Sequence, residues 1–206
     1  MRSIRGSKQV HRYQVDRYTG RQVCACLPVY LSTCVFIFLT ACAPIQLTRP
    51  VTKIGLLAPF EGKQRAIGYE ALYAVKLALR ERNGAGGVAG WLIELVALDE
   101  GDPLDGALRQ APTFAADPDV TFVLGIVAPN ERERVQAEYA QRGLALNLID
   151  VTSNDLSLPD TLFVERYRAL SGGITPGALA LRTYTATQAV LAQIEQHIRA
   201  QGKPSR

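Results

Sequence analysis

From residue 51 onward, short apolar runs of strand length alternate with longer stretches whose apolar residues recur at helical spacing. That alternation leaves few ways to bury both kinds of surface. Strands separated by helical crossovers pair in parallel, and helices must then cover both faces of the sheet. The fold class predicted is α/β: a doubly wound, mainly parallel sheet with helices on both faces. Strands are predicted over residues 53–58, 92–98, 120–127 and 144–149. The nearly continuous apolar run at 92–98 predicts a buried position within the sheet.

Between the strands, helical patterns are read as follows. Gly68, Ala71, Leu72, Val75, Ala78 and Leu79 form one stripe, ending at Asn83-Gly84, where glycine accepts the left-handed conformation. Asp102-Pro103 reads as the cap and first residue of a second helix, with Leu104, Leu108, Ala111 and Ala115 inward. Pro112 is expected to kink it. Pro129 reads as the opening of a polar helix that ends near Gly143. A further helix is predicted over 160–170. The last is expected to be capped by Thr175-Pro176, with Ala186, Val190, Ile194 and Ile198 aligned four apart.

The formal charge of +4 suggests a polyanion partner until its distribution is read. Arg2, Arg5, Lys8, Arg12, Arg17 and Arg21 stand against Asp16 alone in residues 1–41. The rest of the chain is close to neutral, so a nucleic-acid-binding face loses its support. This basic stretch, residues 1–22, precedes an uncharged one, residues 23–41, in the n-region and h-region order of a secretory signal. All four cysteines lie here, as Cys24, Cys26, Cys34 and Cys42. The h-region ends in Leu39-Thr40-Ala41-Cys42, which resembles the lipobox of bacterial lipoproteins. That resemblance implies cleavage before Cys42, acylation of its thiol and anchoring to the cell or outer membrane. An uncleaved spanning helix is the alternative; both place the rest of the chain outside the cytoplasm. The organisation expected is a signal peptide over 1–41, a lipidated tether over 42–50, one lobe over 51–200 and a tail over 201–206.

Catalytic chemistry needs a placed nucleophile, an acid–base pair or a metal. Without the leader, His197 is the sole histidine, and its place near a helix end suits a solvated cation. Asp99, Glu100, Asp102 and Asp105 lack the ligand order of a calcium loop and read as a solvated acidic loop. The glycine run from Gly84 to Gly90 follows a helix and precedes a strand, the reverse of a nucleotide-binding context. No enzyme activity, cofactor or metal is therefore expected.

Lys53-Ile54-Gly55-Leu56-Leu57-Ala58-Pro59, Gly68-Tyr69-Glu70-Ala71, Val75-Lys76-Leu77-Ala78 and Asn83-Gly84-Ala85-Gly86-Gly87-Val88-Ala89-Gly90 follow one another in order. Ile93-Glu94-Leu95-Val96 and Asp99-Glu100-Gly101-Asp102-Pro103 complete the series. Together they resemble the first lobe of type I periplasmic solute-binding proteins, the Leu/Ile/Val-binding family, over about residues 51–155. Residues 176–194, with Tyr184-Thr185-Ala186-Thr187, resemble that family's late helix, which packs back on the first lobe. Only some twenty residues separate the two blocks, where the family has a whole second lobe.

The resemblance implies binding of an amino acid or small polar solute for ABC-type uptake or sensing. The partners it implies are the membrane, an ABC permease, and a second lobe from a dimer or another protein. Asp150-Val151-Thr152-Ser153-Asn154 resembles the family's ligand loop, so Thr152, Ser153 and Asn154 become candidate ligand contacts, with Tyr69 beside them. The same three residues also suit a simple turn cap. Ala128-Pro129 departs from the family's serine or glycine, offering neither a hydroxyl nor, at Pro129, an N–H. Glu131 and Glu133 open the next helix, where they suit the helix dipole and oppose an incoming carboxylate. A structural or protein-interaction lipoprotein that has lost its ligand is the alternative function.

Overall fold

Strand β1, Val51–Ala58, occupies the middle of the molecule because its alternate residues have apolar partners on opposite sides. Ile54, Leu56 and Ala58 point to one face, Leu57 to the other, and all four are fully buried. The computed structural model describes residues 49–101, 105–152 and 159–204. Cys42, the leader, Ser153 and Asn154 lie outside those residues, as do Asp102 and Pro103.

A 3-10 turn at Gly62–Gln64 leads into helix α1, Arg65–Gly84, followed by strand β2, Leu92–Asp99. Next come α2, Gly106–Ala116, and β3, Val120–Gly125, then α3, Arg132–Gln141, and β4, Ala145–Leu148. Helices α4, Thr161–Ser171, and α5, Ala178–Gln201, complete the order. The four strands pair in parallel in the order β2-β1-β3-β4. One face packs on α1 and α5 through Val75, Leu79, Val190, Leu191 and Ile194. The other packs on α2 and α3 through Ala111, Phe114, Val135 and Tyr139. The doubly wound class is what the alternation of elements dictates.

Several local expectations are corrected. Strand β2 is an edge of the sheet, and Glu94 and Ala97 are exposed. Its apolar run reports the two covered faces: Ile93 and Leu95 pack toward α1 and α5, Val96 and Leu98 toward α2 and α3. Apolar character on both faces says nothing about a lateral neighbour. Helix α2 begins at Gly106, beyond Asp102-Pro103, and Asp105 stands at its N-cap without capping through its side chain. The chain crosses closely at this start: a Cβ on Gly106 would lie 1.3 Å from the Glu100 carbonyl oxygen. Helix α3 begins at Arg132 instead of Pro129, since a turn from the Ala128 carbonyl to the Glu131 N–H comes first.

At its end α1 runs through Gly84, and Gly86 and Gly87 take the positive φ values of 107° and 86°. Asn83 clamps the returning strand: its amide donates to the Ile93 carbonyl at 2.8 Å and accepts from the Ile93 N–H at 3.0 Å. Helix α1 also buries a second side that one stripe does not capture. Ala74 and Leu77 pack with Phe163 and Tyr167 of α4 and Ala180 of α5. Leu72, placed on the inward stripe by its spacing, is only partly buried. Asp160 caps α4, accepting from the Phe163 N–H at 2.6 Å, and Gly172 closes that helix at φ 74°. Helix α5 starts at Ala178, and the side chain at its N-terminus is Glu70, not Thr175.

Candidate functional site

In an open parallel sheet, the crevice for a ligand lies beyond the carboxyl ends of the strands where the strand order reverses. Here that point is between β1 and β3, since the chain passes to β2 on one side and to β3 on the other. The ladder continues slightly past the regular strands. Ile126 N–H donates to the Leu57 carbonyl at 2.8 Å, and Glu100 N–H donates to the Ala58 carbonyl at 3.0 Å. These bonds bring the loops after β2 and β3 to either side of the end of β1.

A cavity of about 500 Å³ opens on the β2 side of that point, between the loops after β1 and β2, lined by Pro59, Glu61, Lys63, Gln64, Asp99 and Glu100 among others. Asp99 forms its floor and is fully engaged. One carboxylate oxygen accepts from the Phe60 and Glu61 N–H groups at 2.6 and 3.2 Å, the other from Gly101 N–H at 3.0 Å. Glu100 has no such support. Burial pushes its carboxyl up to about 7, with further upward pressure from the charges of Glu131 and Asp99. Glu131, at the N-cap of α3, is only 8% exposed. Of the acidic residues expected to form a solvated loop, Asp99 and Glu100 are therefore partly buried, Asp102 lies outside the described residues, and Asp105 is a surface charge facing Arg134 at 3.4 Å.

The sequence-predicted ligand loop after β4 is organised differently. Thr152 directs both its hydroxyl and its N–H to one oxygen of Asp150, at 2.8 and 3.0 Å. Arg132 meets that same oxygen at 2.9 Å. The arginine, then the threonine, hold the Asp150 carboxyl down at about 2. The Thr152 hydroxyl proton is thus spent on a turn, as the capping reading of this loop requires. Tyr69, on α1, is 43% exposed and meets Phe60 edge to face at 5.8 Å. It stands near the cavity through Phe60, the residue after Pro59. Ala128 and Pro129 lie after β3 with no hydroxyl to offer.

His197 departs from expectation. It is half-buried with its ring stacked on Phe122 at 6.0 Å, and its Nδ1 is buried without a hydrogen-bond partner. Among the described residues, no group of three or more His, Cys, Asp or Glu side chains is arranged to hold a metal ion. Nor is any described helix long and apolar enough to cross a membrane. Sequence reading missed the cavity beside Asp99 and Glu100. Its signal was present: the two carboxylates end and directly follow the apolar strand β2, at the end of a sheet where ligands bind.

Residues 51–147 match the family model described as periplasmic binding protein. No curated protein matches the chain. Among solved structures, one similar to it is the branched-chain amino acid transporter substrate binding protein LivJ from Streptococcus pneumoniae in complex with isoleucine. The identity is 25% and the TM-score 0.46, over 51% of this chain and 30% of that one. Another is an ABC transporter substrate-binding protein from Desulfitobacterium hafniense in complex with Leu, at 28% identity and a TM-score of 0.44, again over 51% and 30%. The matched part thus spans about 30% of the length of either structure.

Proposed function

We propose that this chain, whose residues 51–147 match the periplasmic binding protein family, is an exported lipoprotein presenting one solute-binding-protein-like lobe. Cys42 carries the lipid, residues 43–50 form the tether, and the lobe recognises an amino acid or small polar solute for ABC-type uptake or sensing. It is a binding protein and not an enzyme. Its partners are the membrane, an ABC permease, and a second wall from a dimer or another protein. No nucleic acid, cofactor or metal enters this reading.

One observation carries it: a cavity of about 500 Å³ stands beyond the carboxyl ends of β1 and β2, beside the switch point, with polar groups lining it. A ligand that binds only the native state raises the melting point by mass action. The full chain in nonionic detergent should therefore be melted against amino acids and small polar solutes. At least one should raise the melting temperature in a concentration-dependent way. If every solute leaves it unchanged, the recognition role fails.

A structural or protein-interaction lipoprotein is the second reading. It is favoured by Thr152, whose hydroxyl is committed to Asp150, and by the lack of hydroxyls at Ala128-Pro129.

A further inference from the structure

We propose that the outer edge of β4 is a self-association surface, where β4 of a second copy pairs antiparallel and joins the two four-stranded sheets into one. The inference stands apart from solute recognition. Strand β4 ends the sheet, with β3 on one side and, among the described residues, no strand on the other. Ile149 N–H donates to the Gly125 carbonyl at 2.8 Å, so Ile149 directs its backbone groups at β3. That direction alternates along a strand, and the N–H and C=O groups of Leu146 and Leu148 therefore point away from β3. Among the described residues nothing meets them. Open space of about 370 Å³ runs along this edge, from Gln136 of α3 on one face to Gln193 of α5 on the other.

Sheets guard their edges with charge, proline or a bulge, because a free edge is a template for another strand. Strand β2, the opposite edge, carries the exposed Glu94. Strand β4 has none of these guards: Ala145-Leu146-Asn147-Leu148 is uncharged and pairs with β3 without a register shift. The residues lining the space along it are uncharged as well. Such a surface meets its own copy without repulsion, whereas a charged partner finds no counter-charge. The pattern of groups also suits a two-fold axis. With Asn147 on the axis, Leu146 faces Leu148 of the second copy and Leu148 faces its Leu146, each pair exchanging two N–H···O bonds. Ala145 packs toward α1 and α5, and alternation puts Asn147 on that same face. The two Asn147 Cα atoms would then stand about 4.5 Å apart. An asparagine amide both donates and accepts, so it can bond its own copy, and Gln193 and Gln136 at the two rims have the same property. Antiparallel pairing puts the two cavities at opposite ends of the joined sheet and leaves both open. Four residues make a short ladder, so the association is modest, with a dissociation constant in the tens of micromolar.

Sedimentation equilibrium of the full chain in density-matched nonionic detergent, with micelles in large excess, should show reversible association of monomer to dimer. Hydrogen exchange at the Leu146 and Leu148 amides should slow at least tenfold as the concentration rises through that range, while the amides of β2 exchange at a constant rate. Asn147→Lys sets two like charges beside the axis and should raise the dissociation constant at least tenfold. If that variant does not fold, Gln193→Lys, on the exposed side of α5, should raise it severalfold. A monomer at every concentration, a dimer whose Leu146 and Leu148 amides gain no protection, or a dimer unweakened by the lysine variants overturns the proposal. Protection of both amides in a species that sedimentation shows to be monomeric overturns it too, and gives the edge to another segment of the same chain.

Discussion

The carboxylate of Glu70 caps helix α5 at Gly177: one oxygen accepts from the Gly177 N–H at 3.0 Å and from the Ala180 N–H at 2.9 Å. More than a hundred residues separate the partners in sequence. Glu70 thus ties α1, which carries one face of the sheet's packing, to the helix that closes the same layer. Tyr167 of α4 strengthens the joint by donating to the Glu70 carbonyl at 3.1 Å. The N-terminal amides of a helix lack internal partners, and a carboxylate there also meets the positive end of the helix dipole. Glu70→Ala should cost about 0.5–2 kcal/mol, as loss of a cap does. Urea unfolding of the variant checks this, and Glu70→Gln should recover part of the loss because its amide oxygen still accepts.

Helix α1 should be intolerant of truncation on its sheet side. Leu79 is 5% exposed among Val75, Val190 and Ile194, in the layer between α1, α5 and the sheet. Leu79→Ala leaves a cavity there and should cost about 2–5 kcal/mol. A loss below about half a kilocalorie, the scale of surface substitutions, would place Leu79 outside the core. Equilibrium denaturation measures either outcome.

Gly106→Ala should disturb the cavity from behind. The added Cβ would fall 1.3 Å from the Glu100 carbonyl oxygen, and the contact is with backbone, so no rotamer change relieves it. The loop carrying Glu100 must move away from α2, with a stability loss of about 1–3 kcal/mol or more. The amide signal of Gly101 should shift in the folded variant. An unshifted Gly101 with full stability would mean that loop and helix do not cross here.

Much of this architecture is legible in the residues, and the failures share a cause. Period-2 and period-3.6 patterns report which faces are covered, so the strands, α1 and α5 are readable from Ile54, Leu79, Val190 and Ile194. The same patterns carry no information about lateral order, which is why β2 reads as a buried parallel strand although it stands, only partly buried, at the edge. Caps made by distant residues are equally silent: Thr175 stands next to α5 in sequence, but Glu70 does the work. In the site, Thr152 was legible as a polar loop residue, yet whether its hydroxyl faces a ligand or Asp150 depends on geometry. The burial of Glu131 depends on tertiary packing, which local sequence does not encode.

Glu100 should make the protein less stable as pH rises from about 4.5 to about 7. Its carboxyl titrates near 7 in the folded protein, against an ordinary value of 4.5. Below pH about 4.5 it is protonated in both states and its contribution is intact. Between there and about 7 the unfolded chain ionises first, so stability falls with rising pH until the folded form has ionised too. Asp150 acts in the opposite sense and lower down: held near 2, it contributes above 3.8 and loses that contribution as pH falls toward 2. Glu100→Gln should therefore flatten the decline in melting temperature between pH 5 and 8 and leave the acid limb unchanged. A decline equally steep in the variant would mean that other groups govern it.

Branched-chain amino acids should not bind this chain, as a monomer, with micromolar affinity. Tight binding of a small zwitterion needs most of its surface buried and both charges met by placed polar groups. A single lobe leaves one side of the ligand in water, where its charges are screened. The residues that would meet the α-carboxylate are unfavourable here: Ala128 and Pro129 bring no hydroxyl, and Glu100 and Glu131 are of like charge. Thr152 spends its N–H and its hydroxyl proton on Asp150. Even if both were released, each bond would contribute about 1 kcal/mol net. A micromolar dissociation constant requires about 8 kcal/mol. Calorimetry of the full chain in detergent with leucine, isoleucine and valine should show no micromolar isotherm. A second wall, from another copy or another protein, is the route by which affinity would rise. Micromolar binding by a species that sedimentation shows to be monomeric would refute the argument, and Thr152→Val would then test whether its hydroxyl leaves Asp150 for the ligand.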